Sequence, residues 1–325
     1  MKTLSLFSKV LLFVSLGLFT LSCTDHEGPA AGTVQREILV SGLNGPTGLT
    51  FDPQGRLFVS EVGTGQNNSQ ISLVENNQAK PVIQGLPSMP DGPAFFIGIT
   101  HMLFANDSLY FLHGALGTLF SVKTSQLNPN QPLSQANLTS QALRPFIDSL
   151  KLVTPLNSNA YNLASDASGN IVIADAGTNA VIKRQKGTGK LQLLAHLPNV
   201  TPAQEAVPTG IVFDGTNFLV TTLSGGPFTK GSAVIYQVSP QGVVSIYQSN
   251  YTTLMDLTLS EGNKPVVIEF VSDGIFNPSL PSGRIANTLG KTLVGDLRGP
   301  SAIERQGNSY YVTSVSQGLL ERFTW

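Results

Sequence analysis

GPTGLTFDPQGRLFVSE, residues 45–61, is a pair of short apolar runs bent about a turn. Asp52 can accept bonds from the turn backbone and Gly55 tolerates positive φ, so residues 49–51 and 57–59 read as the arms of a hairpin. The device returns in NAYNLASDASGNIVIAD (159–175) and VPTGIVFDGTNFLVTT (207–222), with Asp166 and Gly169, then Asp214 and Gly215, at the bend. Six copies align on the middle of the second run, at Val59, Phe111, Ile173, Val220, Val267 and Val312, spaced 45 to 62 residues apart. Two further strand-like runs usually follow, such as AVIKRQ from Ala180 and LQLLAHL from Leu191. Four-stranded units at this period predict an all-β, six-bladed β-propeller. The sixth copy supplies three runs (SAIERQ, SYYVTSV, GLLERFTW), while REILVSGL from Arg36 precedes the first copy with no unit of its own. Pairing that N-terminal strand with the last blade closes the ring and removes two open sheet edges. Residues 36–325 then make a single domain, in which 125–158, rich in Asn, Gln, Ser and Pro, reads as a long inserted surface loop.

Charged residues are 12% of the 325, with 32 Gly and 20 Pro, which suits many strands and tight turns better than helices with charged faces. Residues 1–22 have the pattern of a secretory signal: Lys2 and Lys9, an apolar stretch from Val10 to Phe19, and small Ser22 before Cys23. Cys23 is the sole cysteine, and a thiol at that boundary matches the bacterial lipoprotein pattern, in which it carries the lipid. An ordinary secreted protein is the alternative. Residues 23–35 are then the lipidated cysteine and a polar tether, and the protein is expected to be exported and lipid-anchored in the bacterial cell envelope, periplasmic or surface-facing. With no second thiol the domain has no internal disulfide, so its stability must come from a large core. Loss of Lys2 and Lys9 takes the net charge from −1 to −3. Nothing basic marks nucleic acid as a partner, and the membrane is expected to be met through the N-terminal lipid.

The runs SNAYNLASDASGNIVIADAGTNAVIK, AVPTGIVFDGTNFLVTTLSGGPFTKGSAVIYQV and GLNGPTGLTFDPQGRLFVSEVGTG together resemble the ScyD/ScyE family of bacterial six-bladed propellers, over roughly residues 36–325. That family is related in architecture to NHL-repeat and SMP-30-like propellers. The resemblance implies the fold and little mechanism. Through the SMP-30-like relation it also implies a Ca²⁺ site built from carboxylate and amide oxygens, and with it a lactonase-like hydrolase.

In a propeller each first strand starts on the face to which the second strand returns, so the two sets of positions share that face. The second-strand ends are Glu61, His113, Asp175, Thr222, Glu269 and Ser314; the first-strand starts are Gly48, His101, Asn162, Gly210, Asp256 and Ala302. Four carboxylates, two histidines and an amide thus gather on one face of a chain poor in charge. A ligand or metal site at the mouth of the central channel is one reading, led by His101, Asn162 and Asp256 and followed by Glu61, Asp175, Glu269 and His113; Ca²⁺ suits such oxygens. The other is structural, since an Asp or Glu ending a strand often accepts bonds from a neighbouring loop backbone. No GxSxG elbow, HExxH, Walker loop, dinucleotide fingerprint or EF-hand loop is present. The expected function is therefore binding of a small molecule, glycan or protein on the polar central face. A Ca²⁺-dependent hydrolase and a structural envelope protein are the alternatives.

Overall fold

The computed structural model describes residues 34–91, 95–114, 116–277 and 279–325. The expected signal segment, Cys23 and most of the tether lie outside the described residues. Within them six four-stranded antiparallel sheets form the blades. Blade one runs outward from the axis through Pro46–Phe51, Leu57–Glu61, Ser69–Glu75 and Gln78–Leu86. The inner strands of blades two to six are Ile99–Ala105, Ala160–Ser165, Pro208–Phe213, Leu254–Leu259 and Pro300–Gln306.

Closure is made as the sequence predicts. Gln35–Ser41 is the outermost strand of blade six, antiparallel to Leu319–Thr324, from Gln35 opposite Thr324 to Ser41 opposite Leu319 with a break in register between Ile38 and Val40. The N-terminal strand and the last strand of the chain thus share one sheet, and neither is left unpaired.

The hairpin turns follow the chemistry read from the sequence. Asp52 accepts the backbone N–H of Gln54 and of Arg56 at 3.0 and 2.8 Å, and Gly55 has φ of 78°. Asp166 does the same for Ser168 and Asn170, and Asp214 for Thr216 and Asn217.

Apolar side chains are buried between blades. The described residues form six core clusters, one at each blade interface, from Phe58, Ile71, Phe111 and Phe120 between blades one and two to Val40, Leu49, Val59 and Leu320 between six and one. Each fully buried large side chain contributes about 1.5–3 kcal/mol, so the stability of a disulfide-free ring rests on these interfaces.

The 125–158 stretch is more structured than the loop the sequence predicts. It holds the outer strand of blade two, Thr139–Ala142, and the helix Arg144–Ser149, on which Ile147 is buried. Leu133 also bonds the backbone of blade one, donating to Val82 O and accepting from Gln84 N at 2.9 Å each. Its polar composition conceals a few apolar anchors, Leu133, Leu143 and Ile147, that dock it on the propeller.

Candidate functional site

All six inner strands break register near their first residues, between Pro46 and Gly48 in blade one and at the equivalent point elsewhere. A bulge re-aims the side chain it contains. His101 and Gly210 lie within the break, and Gly48, Asn162, Asp256 and Ala302 are the first pairs after it; these are the six first-strand starts read from the sequence. Blades one, four and six share Pro-Thr/Ser-Gly/Ala there: Pro46-Thr47-Gly48, Pro208-Thr209-Gly210 and Pro300-Ser301-Ala302. The hydroxyls stitch neighbouring inner strands, Thr47 Oγ1 to Ile99 O at 3.0 Å, Thr209 Oγ1 to Leu254 O at 2.7 Å and Ser301 Oγ to Pro46 O at 2.7 Å. The small third residue is required by close approach. A Cβ on Gly48 would stand 2.7 Å from Thr100 O, and one on Gly210 would stand 2.9 Å from Asp256 Cα.

With blades one, four and six reduced to Gly or Ala, the side chains of blades two, three and five meet across the axis. Asn162 Nδ2 donates to Asp256 Oδ1 at 2.9 Å, past the vacant side-chain position of Gly210. Asp256 Oδ2 accepts the Ile303 N–H at 3.0 Å, and Asn162 Oδ1 accepts the Leu163 N–H at 2.7 Å. His101 Nδ1 lies 3.2 Å from the Tyr161 carbonyl, and the two rings pack with centroids 4.9 Å apart. His101 Nε2 is buried without a hydrogen-bond partner, 3.6 Å from Asp256 Oδ2 and beyond bonding distance.

These residues are only 3 to 6% exposed, so they form a plug and are not displayed at an open mouth as the sequence reading has them. The space lies beyond the plug, along the inner strands toward the hairpin turns: a cavity of about 220 Å³. Leu49, Met102, Leu103, Leu163, Ile211, Phe213 and Leu257 form apolar walls around His101, Asn162, Asp256 and Glu304. Ser165 and Phe213 end their strands and are half-buried, which marks the open side. Gln35 pairs beside Ser309 and Thr324, at the turn end of blade six, so the chain joins the propeller on the side where the cavity opens.

Glu304 escaped the sequence reading. It stands two residues after Ala302 on the same inner strand, and the alternation of a strand puts it on the same side. That period-2 step was the available signal. Burial, followed by the charge of Asp256, pushes its carboxyl up to about 8, with the Arg305 N–H offsetting part of the rise. Near neutral pH Glu304 is a carboxylic acid. Burial and then Asp256 also raise the Tyr161 phenol.

The second-strand ends have a different task. Glu61 accepts the Asn44 N–H and Gln70 Nε2, both at 2.7 Å. Asp175 accepts Ser158 Oγ at 2.8 Å, the Asn159 N–H at 3.2 Å, and the N–H and Oγ1 of Thr178 at 2.9 and 2.7 Å. Glu269 accepts the Thr252 N–H at 2.6 Å and pairs with Arg284. Each carboxylate fastens the chain just ahead of its own blade's inner strand. His113 Nδ1 accepts from the Leu116 N–H at 3.3 Å, which leaves Nε2 to donate to Pro87 O at 2.9 Å; burial lowers its pKa below 6.5. None of these four lines the axial cavity.

A Ca²⁺ site does not fit the rim. The rim offers a cation a single carboxylate, Asp256, beside one amide oxygen turned to the Leu163 N–H, and its third group is an imidazole, a poor ligand for a hard cation. Among the described residues no three His, Cys, Asp or Glu side chains stand close enough to hold a metal ion.

No family model and no curated protein matches this chain. Solved structures do. A gluconolactonase from Xanthomonas campestris is 11% identical, with 93% of this chain and 95% of its own covered at a TM-score of 0.61. Virginiamycin B lyase from Staphylococcus aureus is 13% identical over 90% and 99%, at 0.53. A Bacteroides thetaiotaomicron protein of unknown function is 11% identical over 90% and 76%, at 0.61. Likeness at this identity is likeness of fold. The chain is a six-bladed β-propeller whose structural neighbours are of the gluconolactonase and virginiamycin B lyase type.

Proposed function

We propose that this protein is an exported, lipid-anchored propeller of the ScyD/ScyE kind that binds a small molecule in its axial cavity. The observation that supports the binding role is convergence: His101, Asn162, Asp256 and Glu304, from four different blades, surround one cavity, and a buried nitrogen among them has no partner. A cavity of about 220 Å³ suits a small molecule better than a glycan chain or a protein. Anchoring rests on the sequence of residues 1–23 alone.

The test is a thermal-shift screen of small molecules on the full-length protein. Compounds that raise the melting temperature of the wild type should lose their effect in Asp256→Asn and Glu304→Gln. Stabilisation that survives both substitutions places the ligand elsewhere and refutes the axial site. Anchoring is tested separately: Cys23→Ala should release the protein from membranes, and retention there would refute it.

One arrangement favours a hydrolytic second reading, in which a lactone or ester is cleaved. The Glu304 carboxylic acid can donate to a substrate carbonyl, while the His101 imidazole takes a proton from water. This route uses no cation and follows from the side chains present. Turnover of a lactone and ester panel in chelator, lost in His101→Gln, would support it; a panel with no turnover would remove it.

A further inference from the structure

Resting on the reading of the axial cavity as a ligand site, we propose that its ligand is a primary ammonium carried on a compact apolar body. The argument begins at His101. The Tyr161 carbonyl, 3.2 Å from Nδ1, can only accept a hydrogen bond, so Nδ1 holds the ring proton. In the neutral ring Nε2 is then a bare lone pair. Asp256 Oδ2, 3.6 Å away, is another acceptor, which explains why no bond joins them. A buried acceptor left without a donor destabilises the site, and a ligand that brings an N–H relieves it.

The rest of the polar end has the same sense. Asp256 Oδ1 and Oδ2 each accept one bond from the protein and keep a lone pair. Glu304 adds two more oxygens. Among the described residues none that lines the cavity is Lys or Arg, so Asp256 has no cationic partner there. An ammonium carries N–H donors for His101 Nε2 and Asp256 Oδ2, which stand 3.6 Å apart, and one positive charge that suits a cavity also lined by Glu304. A hydroxyl offers one donor and no charge, and a carboxylate offers neither and is repelled. The walls from Met102, Leu103, Leu163, Ile211 and Phe213 are apolar and select a ligand with an apolar body over a bare hydrated ion.

Protonation follows from the same groups. The titratable side chains lining the cavity are His101, Asp256 and Glu304, with the Tyr161 ring packed on His101 behind them. Glu304 holds a proton near neutral pH, and an ammonium beside it drives that proton into solvent. Binding is therefore expected to release protons, and to tighten as pH rises toward 8.

The experiment is calorimetric titration of the full-length protein with cyclohexylamine, cyclohexanol, cyclohexanecarboxylate and CaCl₂, in two buffers of different ionisation enthalpy. The expected result is that cyclohexylamine binds with proton release, cyclohexanol binds at least about tenfold more weakly, and the other two do not bind. Glu304→Gln should lose the proton release, and Asp256→Asn at least about tenfold in amine affinity. Melting temperature is the folding control. Should Asp256→Asn melt early, Glu304→Gln decides the matter through the buffer dependence alone. Cyclohexanol or the carboxylate binding as tightly as the amine overturns the ammonium assignment and leaves the cavity a ligand site. Ca²⁺ displacing the amine, or binding in its place, overturns the assignment in favour of a metal site. If none of the four binds, the assignment and the binding role of the cavity fail together.

Discussion

Replacing Glu304 with Gln keeps the shape of the side chain and removes its titration. The carboxyl is displaced from an ordinary 4.5 to about 8 in the folded chain. Each tenfold change in proton affinity is worth about 1.4 kcal/mol, so the displacement sets a ceiling of about 5 kcal/mol on the cost of ionising it in place. Between pH 4.5 and 8 the folded protein keeps a proton that the unfolded chain has released. Stability of the wild type therefore falls as pH rises through that window and levels off above it. Glu304→Gln does not share that loss. The two proteins should melt alike near pH 5, and the variant should melt higher at pH 9, by up to about 10 °C. Thermal melts at pH 5, 7 and 9 and constant ionic strength read this difference, in which the titration of His113 and of every other shared group cancels. An offset between the two that stays constant with pH would show that Glu304 does not titrate in this range and would refute the reasoning.

Two further predictions concern the scaffold. Asp175→Ala removes the acceptor of four hydrogen bonds in a buried loop anchor and should cost about 3–5 kcal/mol, seen as early melting, with ligand affinity in the axial cavity unchanged once the protein is folded. Unaltered melting would mean that the anchor is redundant. Gly48→Ala drives a Cβ to 2.7 Å from Thr100 O and should cost about 1–3 kcal/mol, whereas Gly295→Ala, whose Cβ would meet nothing closer than 3.8 Å, should change melting little. Equal effects of the two substitutions would contradict the close packing of the inner strands.

The rim residues show where reading the sequence succeeds and where it stops. Alignment of the six copies placed His101, Asn162 and Asp256 at one level, because turn chemistry and strand alternation fix each position along its own strand. It ranked Asp256 ahead of Glu61, Asp175 and Glu269 but left a structural role open for all four. All four are carboxylates near a strand end, and their roles depend on what stands opposite. Three of them face the loop ahead of their own blade, within 17 residues of sequence, and are spent on its backbone. Asp256 faces Asn162, 94 residues away, and Ile303, 47 residues away, across a channel that exists only in the closed ring. Glu304 was missed for the same reason. In SAIERQ it looks like any charged residue of an alternating strand.

The sequence by itself determined the six blades, their turns and the strand that closes them, since these follow from local periodicity and from the conformations open to Asp, Gly and Pro. Tertiary structure decided which polar groups share a site. Gly48, Gly210 and Ala302 leave room near the axis, so the side chains of the other three blades reach one another and the plug forms. The cavity falls on the far side of that plug, and the buried, unpartnered His101 nitrogen faces an oxygen that can only accept. No periodicity encodes such a mismatch; it arises when separate blades are brought within a few ångströms of a common axis.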